Sequence, residues 1–211
     1  MKILYWFLKI ILYLPIRIFF PTHITGRKNL GKGKVILVCN HQSNLDPLII
    51  SLLIPKQPYF LAKKELFKNK FLSSFFKQIG SIPVDRKNVG ISTIKEALSV
   101  LKQEKRLVIF PEGTRKKISL EESENLKNGA GMFALKAQCN VVPMYFTKKP
   151  GFLRFTKLII GKPINLEEYF DLKTTKENIS IVGEKIKNSM IDLKKSTQRK
   201  KNYDPLRIQN E

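Results

Sequence analysis

From Pro21 onward the chain alternates short, dense apolar runs with amphipathic stretches, and that alternation leaves few folds open to it. VILVC (35–39), YFLA (59–62), SIPV (81–84), RLVIF (106–110), VVPMYF (141–146) and the run ending in LII (158–160) read as strands. They are short and rich in β-branched or aromatic residues. Between them, 47–54, roughly 65–79, 90–104 and 126–138 read as helices. Strands alternating with helices predict an α/β domain whose largely parallel sheet is flanked by helices. Pro143, inside one of the strands, predicts an edge or a bulge at that point, because proline has no N–H for a ladder. A last helix is expected from Thr174, which has capping-box spacing to Glu177, through IVGEKIKNSMIDLKK (181–195), before a basic, polar tail. The 211 residues have room for one domain with a sizeable core. The predicted organisation is a membrane-associating amphipathic helix over 1–21, the α/β domain over 22–172, and a C-terminal helix with its basic tail over 173–211.

Residues 1–20, MKILYWFLKIILYLPIRIFF, are the most apolar part of the chain, yet they include Lys9, Pro15 and Arg17. Projected at roughly 100° per residue, Lys2, Tyr5, Trp6, Lys9, Tyr13 and Arg17 share about a third of the circumference. Ile, Leu and Phe fill nearly all the rest. Cations beside Tyr and Trp on one stripe, with a wide apolar face opposite, predict a helix lying in the lipid interface. A short span and a helix buried against the domain are the alternative readings. A signal peptide fits poorly, since Phe19-Phe20-Pro21 is not a small-residue cleavage site.

Thirty-nine Lys and Arg stand against 17 Asp and Glu, a formal net charge of +22. Such an imbalance selects anionic partners: a membrane surface, a phosphorylated ligand or nucleic acid. Nucleic acid is the weakest of these. No zinc-finger, RRM or homeodomain signature is present, and the aromatics sit in apolar runs. With 43 % apolar residues the chain is globular. Cys39 and Cys139 lie in or beside apolar runs and read as buried, reduced thiols of a cytosol-facing protein. Two Cys and two His at scattered spacing do not make a structural zinc site.

Three polar clusters carry the chemistry. NHQSNLDP (40–47) follows the first strand and sets His41 and Asp46 with four residues between them. Histidine titrates near neutrality and suits a general base. A carboxylate on one ring nitrogen fixes the tautomer and leaves the other nitrogen to accept a proton. Asp46 before Pro47 also fits a helix N-cap. His23 has no nearby carboxylate. The second and third clusters are GSIPVDR (80–86) and FPEGTR (110–115), each a strand followed by a polar turn ending in arginine. Arg86 and Arg115 offer guanidinium forks suited to phosphate, Gly113 permits close backbone approach, Thr114 adds a hydroxyl, and Glu112 can orient an arginine or receive ligand hydroxyls. With the lysines of AKKE (62–65), these segments would lie beyond the carboxyl ends of the strands, where open α/β sheets bind ligands. Transfer onto the hydroxyl of a phosphorylated substrate is the reaction class that follows. A rival reading makes Cys39 a nucleophile beside His41, although a thiol ending an apolar run is more commonly inert. A non-enzymatic basic membrane-surface or nucleic-acid-binding protein is the other alternative.

The blocks N-H-x-x-x-x-D (40–46), AKKEL with GSIPVDR, F-P-E-G-T-R and the apolar VVPMYF, in that order, resemble the glycerophospholipid acyltransferases, in particular the bacterial 1-acylglycerol-3-phosphate acyltransferases. LKNGAGMFAL (126–135) resembles the helix that precedes the last block, and the resemblance covers roughly residues 24–165. It implies His41 as base and Asp46 as its partner, with Arg86, Glu112, Gly113, Thr114 and Arg115, helped by Lys63, holding a glycerol phosphate. It implies a lysophospholipid acceptor, first lysophosphatidic acid, with glycerol 3-phosphate or another lysolipid as alternatives. The donor would be acyl-CoA or acyl carrier protein, with no cofactor and no metal. The expected location is the cytoplasmic face of a bacterial inner membrane.

Overall fold

Each apolar run becomes a strand because the sheet is covered on both sides. The computed structural model describes residues 2–85, 89–110 and 124–202. Its elements are α1 (Lys2–Phe19), β1 (Thr22–Thr25), β2 (Val35–Cys39), α2 (Asp46–Leu53), β3 (Pro58–Lys63), α3 (Lys70–Gln78), β4 (Ser81–Val84), α4 (Ile91–Lys102), β5 (Arg106–Ile109), α5 (Glu124–Ala137), β6 (Val141–Phe146), β7 (Thr156–Ile160) and α6 (Lys176–Asn202). The seven strands form one sheet in the order β1-β7-β6-β2-β5-β3-β4. All neighbours run parallel except β6 and β7. All five residues of the central β2 are buried, as expected of a parallel strand covered on both faces. Ile36 and Val38 point into a core shared with α4, α5 and α6. Val35, Leu37 and Cys39 point the other way, into a core with Ile49, Ile50 and Leu53 of α2.

The expected strands over 35–39, 81–84 and 141–146 coincide with β2, β4 and β6. Three local readings are corrected. Pro143 is neither on an edge strand nor unpaired, since β6 lies between β2 and β7 and Pro143 registers with Val38. Its carbonyl accepts from Gly161 N at 2.8 Å, so the side of the residue that lacks an N–H faces the end of the β6–β7 ladder. The helix expected over 65–79 is a 3-10 turn, Lys64–Phe67, followed by α3. Asn69 breaks the two apart by capping α3, its side chain accepting from Phe71 N at 2.8 Å and Leu72 N at 3.2 Å. The last helix is capped by Thr175, whose hydroxyl accepts from Asn178 N at 3.2 Å, one residue after the expected cap. It runs on to Asn202, with no Gly or Pro over residues 196–202, and Ser196 and Thr197 satisfy their hydroxyls on the helix carbonyls of Leu193 and Lys194. Gly131 of α5 lies against α6, where a Cβ would stand 2.6 Å from Ile179 O and 3.1 Å from Gly183 N.

α1 forms as expected, and part of its polar stripe, Tyr5 and Lys9, is turned toward the domain, while Trp6, Tyr13 and Arg17 are exposed. Tyr5 is 4 % exposed and its hydroxyl donates to Ser51 O at 2.9 Å. Lys9 Nζ donates to Ile54 O at 2.6 Å and lies over the Trp6 ring, 5.2 Å from its centroid. Arg17 donates to Thr22 O at 2.7 Å. Arg106 joins Lys9 at the end of α2, donating to Pro55 O at 2.6 Å. Cations there meet carbonyls that the helix leaves without partners. Burial, with the neighbouring Arg106 and Arg27, pulls the Lys9 pKa below that of an ordinary lysine. The opposite face is outward and apolar: Ile3 is 85 % exposed, Ile10 75 %, and Phe7, Ile11, Leu14 and Ile18 are exposed with them. Among the described residues no helix is long and apolar enough to cross a membrane.

Candidate active site

At Cys39 the apolar strand β2 gives way to the polar run Asn40–Asn44, and buried polar groups must find partners. Asn40, 3 % exposed, does so by imitating a strand. Its side-chain amide donates to Phe146 O at 3.1 Å and its oxygen accepts from Phe146 N at 2.7 Å. Gln42 Nε2 donates to the same Phe146 carbonyl at 3.2 Å. The turn is thereby clamped to the carboxyl end of β6.

That clamp sets the geometry of the pair anticipated from spacing. His41 Nδ1 lies 2.9 Å from Asp46 Oδ2, with the side chains 8 % and 0 % exposed. The same oxygen accepts from Gln42 N at 2.7 Å and Ser43 N at 2.8 Å. Asp46 is therefore not the cap of α2. Leu45 holds the cap position without a side-chain bond, and the Asp46 carboxylate reaches back over the turn that carries His41. Oδ1 of Asp46 is buried without a hydrogen-bond partner among the described residues. The imidazole lies against Phe110, ring centroids 4.4 Å apart and planes 27° apart, and Phe110 stacks in turn on Phe60 at 6.2 Å. A carboxylate on Nδ1 and an aromatic platform under the ring hold the imidazole in one orientation, with Nε2 as the nitrogen that can exchange a proton.

The other anticipated residues divide. Lys63 closes β3 on the same rim, but its side chain is 59 % exposed and lies 3.7 Å from Glu65. Lys64 beside it pairs with Asp85, which follows β4, and that carboxylate raises the Lys64 pKa. Arg86, Glu112, Gly113, Thr114 and Arg115 lie outside the described residues. His23 is exposed on β1, at the edge of the sheet. Cys39 is fully buried, its Sγ 3.7 Å from Asn40 Oδ1, and Cys139 is buried as well. Among the described residues no three His, Cys, Asp or Glu side chains are grouped to hold a metal ion. The roles of Asn40, Gln42 and Phe110 escaped sequence reading. Their partners are the backbone of Phe146, over a hundred residues away, and the rings of His41 in the turn after β2 and of Phe60 on β3.

With this geometry in view, the likeness to known proteins extends well beyond the site. Residues 21–147 match the family model described as Acyltransferase. The chain is 34 % identical over 177 residues to the 1-acyl-sn-glycerol-3-phosphate acyltransferase of Bacillus subtilis, covering 81 % of this chain and 86 % of that protein. It is 32 % identical over 173 residues to the enzyme of the same name from Streptococcus pneumoniae, covering 77 % of this chain and 61 % of that longer relative. Its fold resembles the crystal structure of the 1-acyl-sn-glycerophosphate acyltransferase of Thermotoga maritima, with a TM-score of 0.63 at 23 % identity over 90 % of this chain and 78 % of that one. The order of the sequence blocks, the α/β fold and the match over residues 21–147 agree: the chain belongs to the Acyltransferase family.

Proposed function

We propose that the protein transfers an acyl group from an acyl thioester to the sn-2 hydroxyl of lysophosphatidic acid, forming phosphatidic acid, at the cytoplasmic face of a bacterial inner membrane. The observation that carries this reading is the His41–Asp46 pair, 2.9 Å apart and nearly buried at the carboxyl rim of the sheet. The names of the Bacillus subtilis and Streptococcus pneumoniae relatives support the choice of acceptor.

In this mechanism His41 Nε2 takes the proton of the acceptor hydroxyl as that oxygen attacks the thioester carbonyl. The tetrahedral intermediate then collapses, the C–S bond breaks, and the imidazolium returns the proton to the leaving thiolate. Asp46 stabilises the imidazolium through Nδ1. A positioned base contributes roughly 10²–10⁴ in rate. Arg86, Glu112, Gly113, Thr114 and Arg115 hold the glycerol phosphate, helped by Lys63. The donor is acyl-CoA or acyl carrier protein, and no metal or cofactor takes part. The outward apolar face of α1 rests in the lipid interface, where its exposed Ile and Phe side chains leave water.

The test is acyl transfer by the purified chain in mixed micelles. Palmitoyl-CoA or palmitoyl-acyl carrier protein is supplied with lysophosphatidic acid, and wild type is set beside His41→Ala. Phosphatidic acid from wild type alone is the expected result. Equal product from both would remove His41 from the chemistry. Product only with glycerol 3-phosphate or another lysolipid would replace the acceptor.

A further inference from the structure

Between β6 and β7 the chain turns through KKPGFLRF (148–155), and three large apolar side chains stand at the tip in the open. Phe152 is 66 % exposed, Leu153 63 % and Phe155 55 %. Clustered exposure of this kind marks an interaction surface rather than ordinary loop composition. The turn is well tied: Thr156 Oγ1 donates to Lys148 O at 2.9 Å, and Arg154 N donates to Gly151 O at 3.1 Å. It is also joined to α1. Leu153 N donates to Phe19 O at 2.6 Å, and Phe152 stacks on Phe19 at 5.4 Å and 14°. The tip therefore continues the outward apolar face of α1, as Ile18 and Phe19 are exposed beside it.

The charge around this surface has one sign. Lys148, Lys149 and Arg154 lie in the loop itself and are exposed, Lys157 follows on β7, and no acidic residue stands between Thr147 and Lys157. Exposed aromatics ringed by cations suit an anionic lipid surface, which offers hydrocarbon for the rings and headgroup charge for the ammonium and guanidinium groups. We infer that the Gly151–Phe155 tip is a second membrane-inserting element, entering an anionic lipid surface together with α1. This rests on the reading of α1 as an interfacial helix. A helix alone holds the domain along one element; a second contact beside Phe19 adds another point of attachment. The tip leaves β6 directly after Phe146, whose backbone holds Asn40 and Gln42. Insertion at both points therefore keeps the His41 turn at the level of the lipid surface, where a lysolipid hydroxyl lies.

The full chain carrying Trp6→Phe and Phe152→Trp has one tryptophan, because Trp6 is the natural one. On vesicles of phosphatidylcholine and phosphatidylglycerol its emission moves to the blue and brominated lipid quenches it. Phe152→Ser/Leu153→Ser/Phe155→Ser lowers the vesicle partition coefficient by roughly tenfold or more, while turnover of a short-chain, water-soluble acceptor is unchanged. A chain that binds these vesicles with position 152 unquenched overturns the second contact and leaves the α1 reading standing. A chain that does not bind them overturns both.

Discussion

Asp46 is read as acting through His41, and the geometry predicts how its replacements differ. In Asp46→Asn an oxygen remains to accept from Gln42 N, Ser43 N and His41, so the turn keeps its shape. The charge is lost. The imidazolium formed during transfer then meets an amide instead of a carboxylate, forfeiting ~1.5–3 kcal/mol of charge-assisted bonding. At ~1.4 kcal/mol per decade this is roughly a 10- to 150-fold fall in kcat, with KM for the acceptor little changed. The new amide nitrogen takes the place of Oδ1, which has no partner among the described residues, so a small loss of stability accompanies it. Asp46→Ala removes the acceptor altogether. With Ser43 buried and Asp46 fully so, two stranded donors cost about 2–5 kcal/mol, enough to lower Tm by roughly 5–15 °C. The decisive assay is a double-mutant cycle in the micelle transfer reaction, comparing His41→Ala, Asp46→Asn and the pair. Because Asp46 has no route to the reaction except through the ring, the pair is no slower than His41→Ala alone. An additive loss in the pair would refute the reasoning. So would a wild-type rate for Asp46→Asn.

Arg115→Ala raises KM for a phosphorylated acceptor by roughly 10- to 100-fold, the equivalent of one charge-assisted contact, and leaves KM for the thioester donor unchanged in the same assay. Gly131→Ala drives a methyl against Ile179 O of α6, and calorimetry should find about 1–3 kcal/mol of lost stability, with no change in the activity of the protein that remains folded. Burial pushes the Cys139 thiol from its ordinary 9.0 up to about 12. Its folded pKa thus exceeds its unfolded one, so its contribution to stability is whole below pH ~9 and is lost as pH rises toward ~12. Denaturant titrations across that window should show a flatter decline in Cys139→Ala, and at pH 8 alkylation of Cys139 in the native protein should proceed only as fast as the chain opens.

The strands β2 and β6 were legible residue for residue because a strand covered on both faces needs an unbroken apolar run, which a solvent-facing segment does not. β1 was not. Thr22–Thr25 is four residues long and polar at all but Ile24, and it becomes a strand only because β7 arrives beside it from far along the chain. The reversed direction of β7 and the sheet order are likewise matters of non-local pairing. At the site, the spacing of His41 and Asp46 sufficed because their contact is local. Asn40 and Gln42 were hidden because their common partner is the carbonyl of Phe146, and a carbonyl has no letter in a sequence. For the same reason the periodicity of α1 located its polar stripe but not which of its residues fasten to the domain. Tyr5, Lys9 and Arg17 all bond to backbone oxygens.

The bonds from Tyr5, Lys9 and Arg17 to backbone oxygens of the domain reverse the usual rules of mutational tolerance. On most surface helices, exchange of a polar residue is harmless and exchange of an apolar one is damaging. On α1 the polar positions are the fasteners: Tyr5→Phe, Lys9→Met or Arg17→Leu would raise the hydrophobicity of the segment and yet loosen it from α2 and β1. Serines at Ile3, Phe7, Ile10 and Leu14, which touch the outside, would leave the fold as stable as before. A substitution library over residues 3–18, sorted once for folded protein and once for growth on a membrane-dependent selection, should therefore return two nearly complementary sets of forbidden positions.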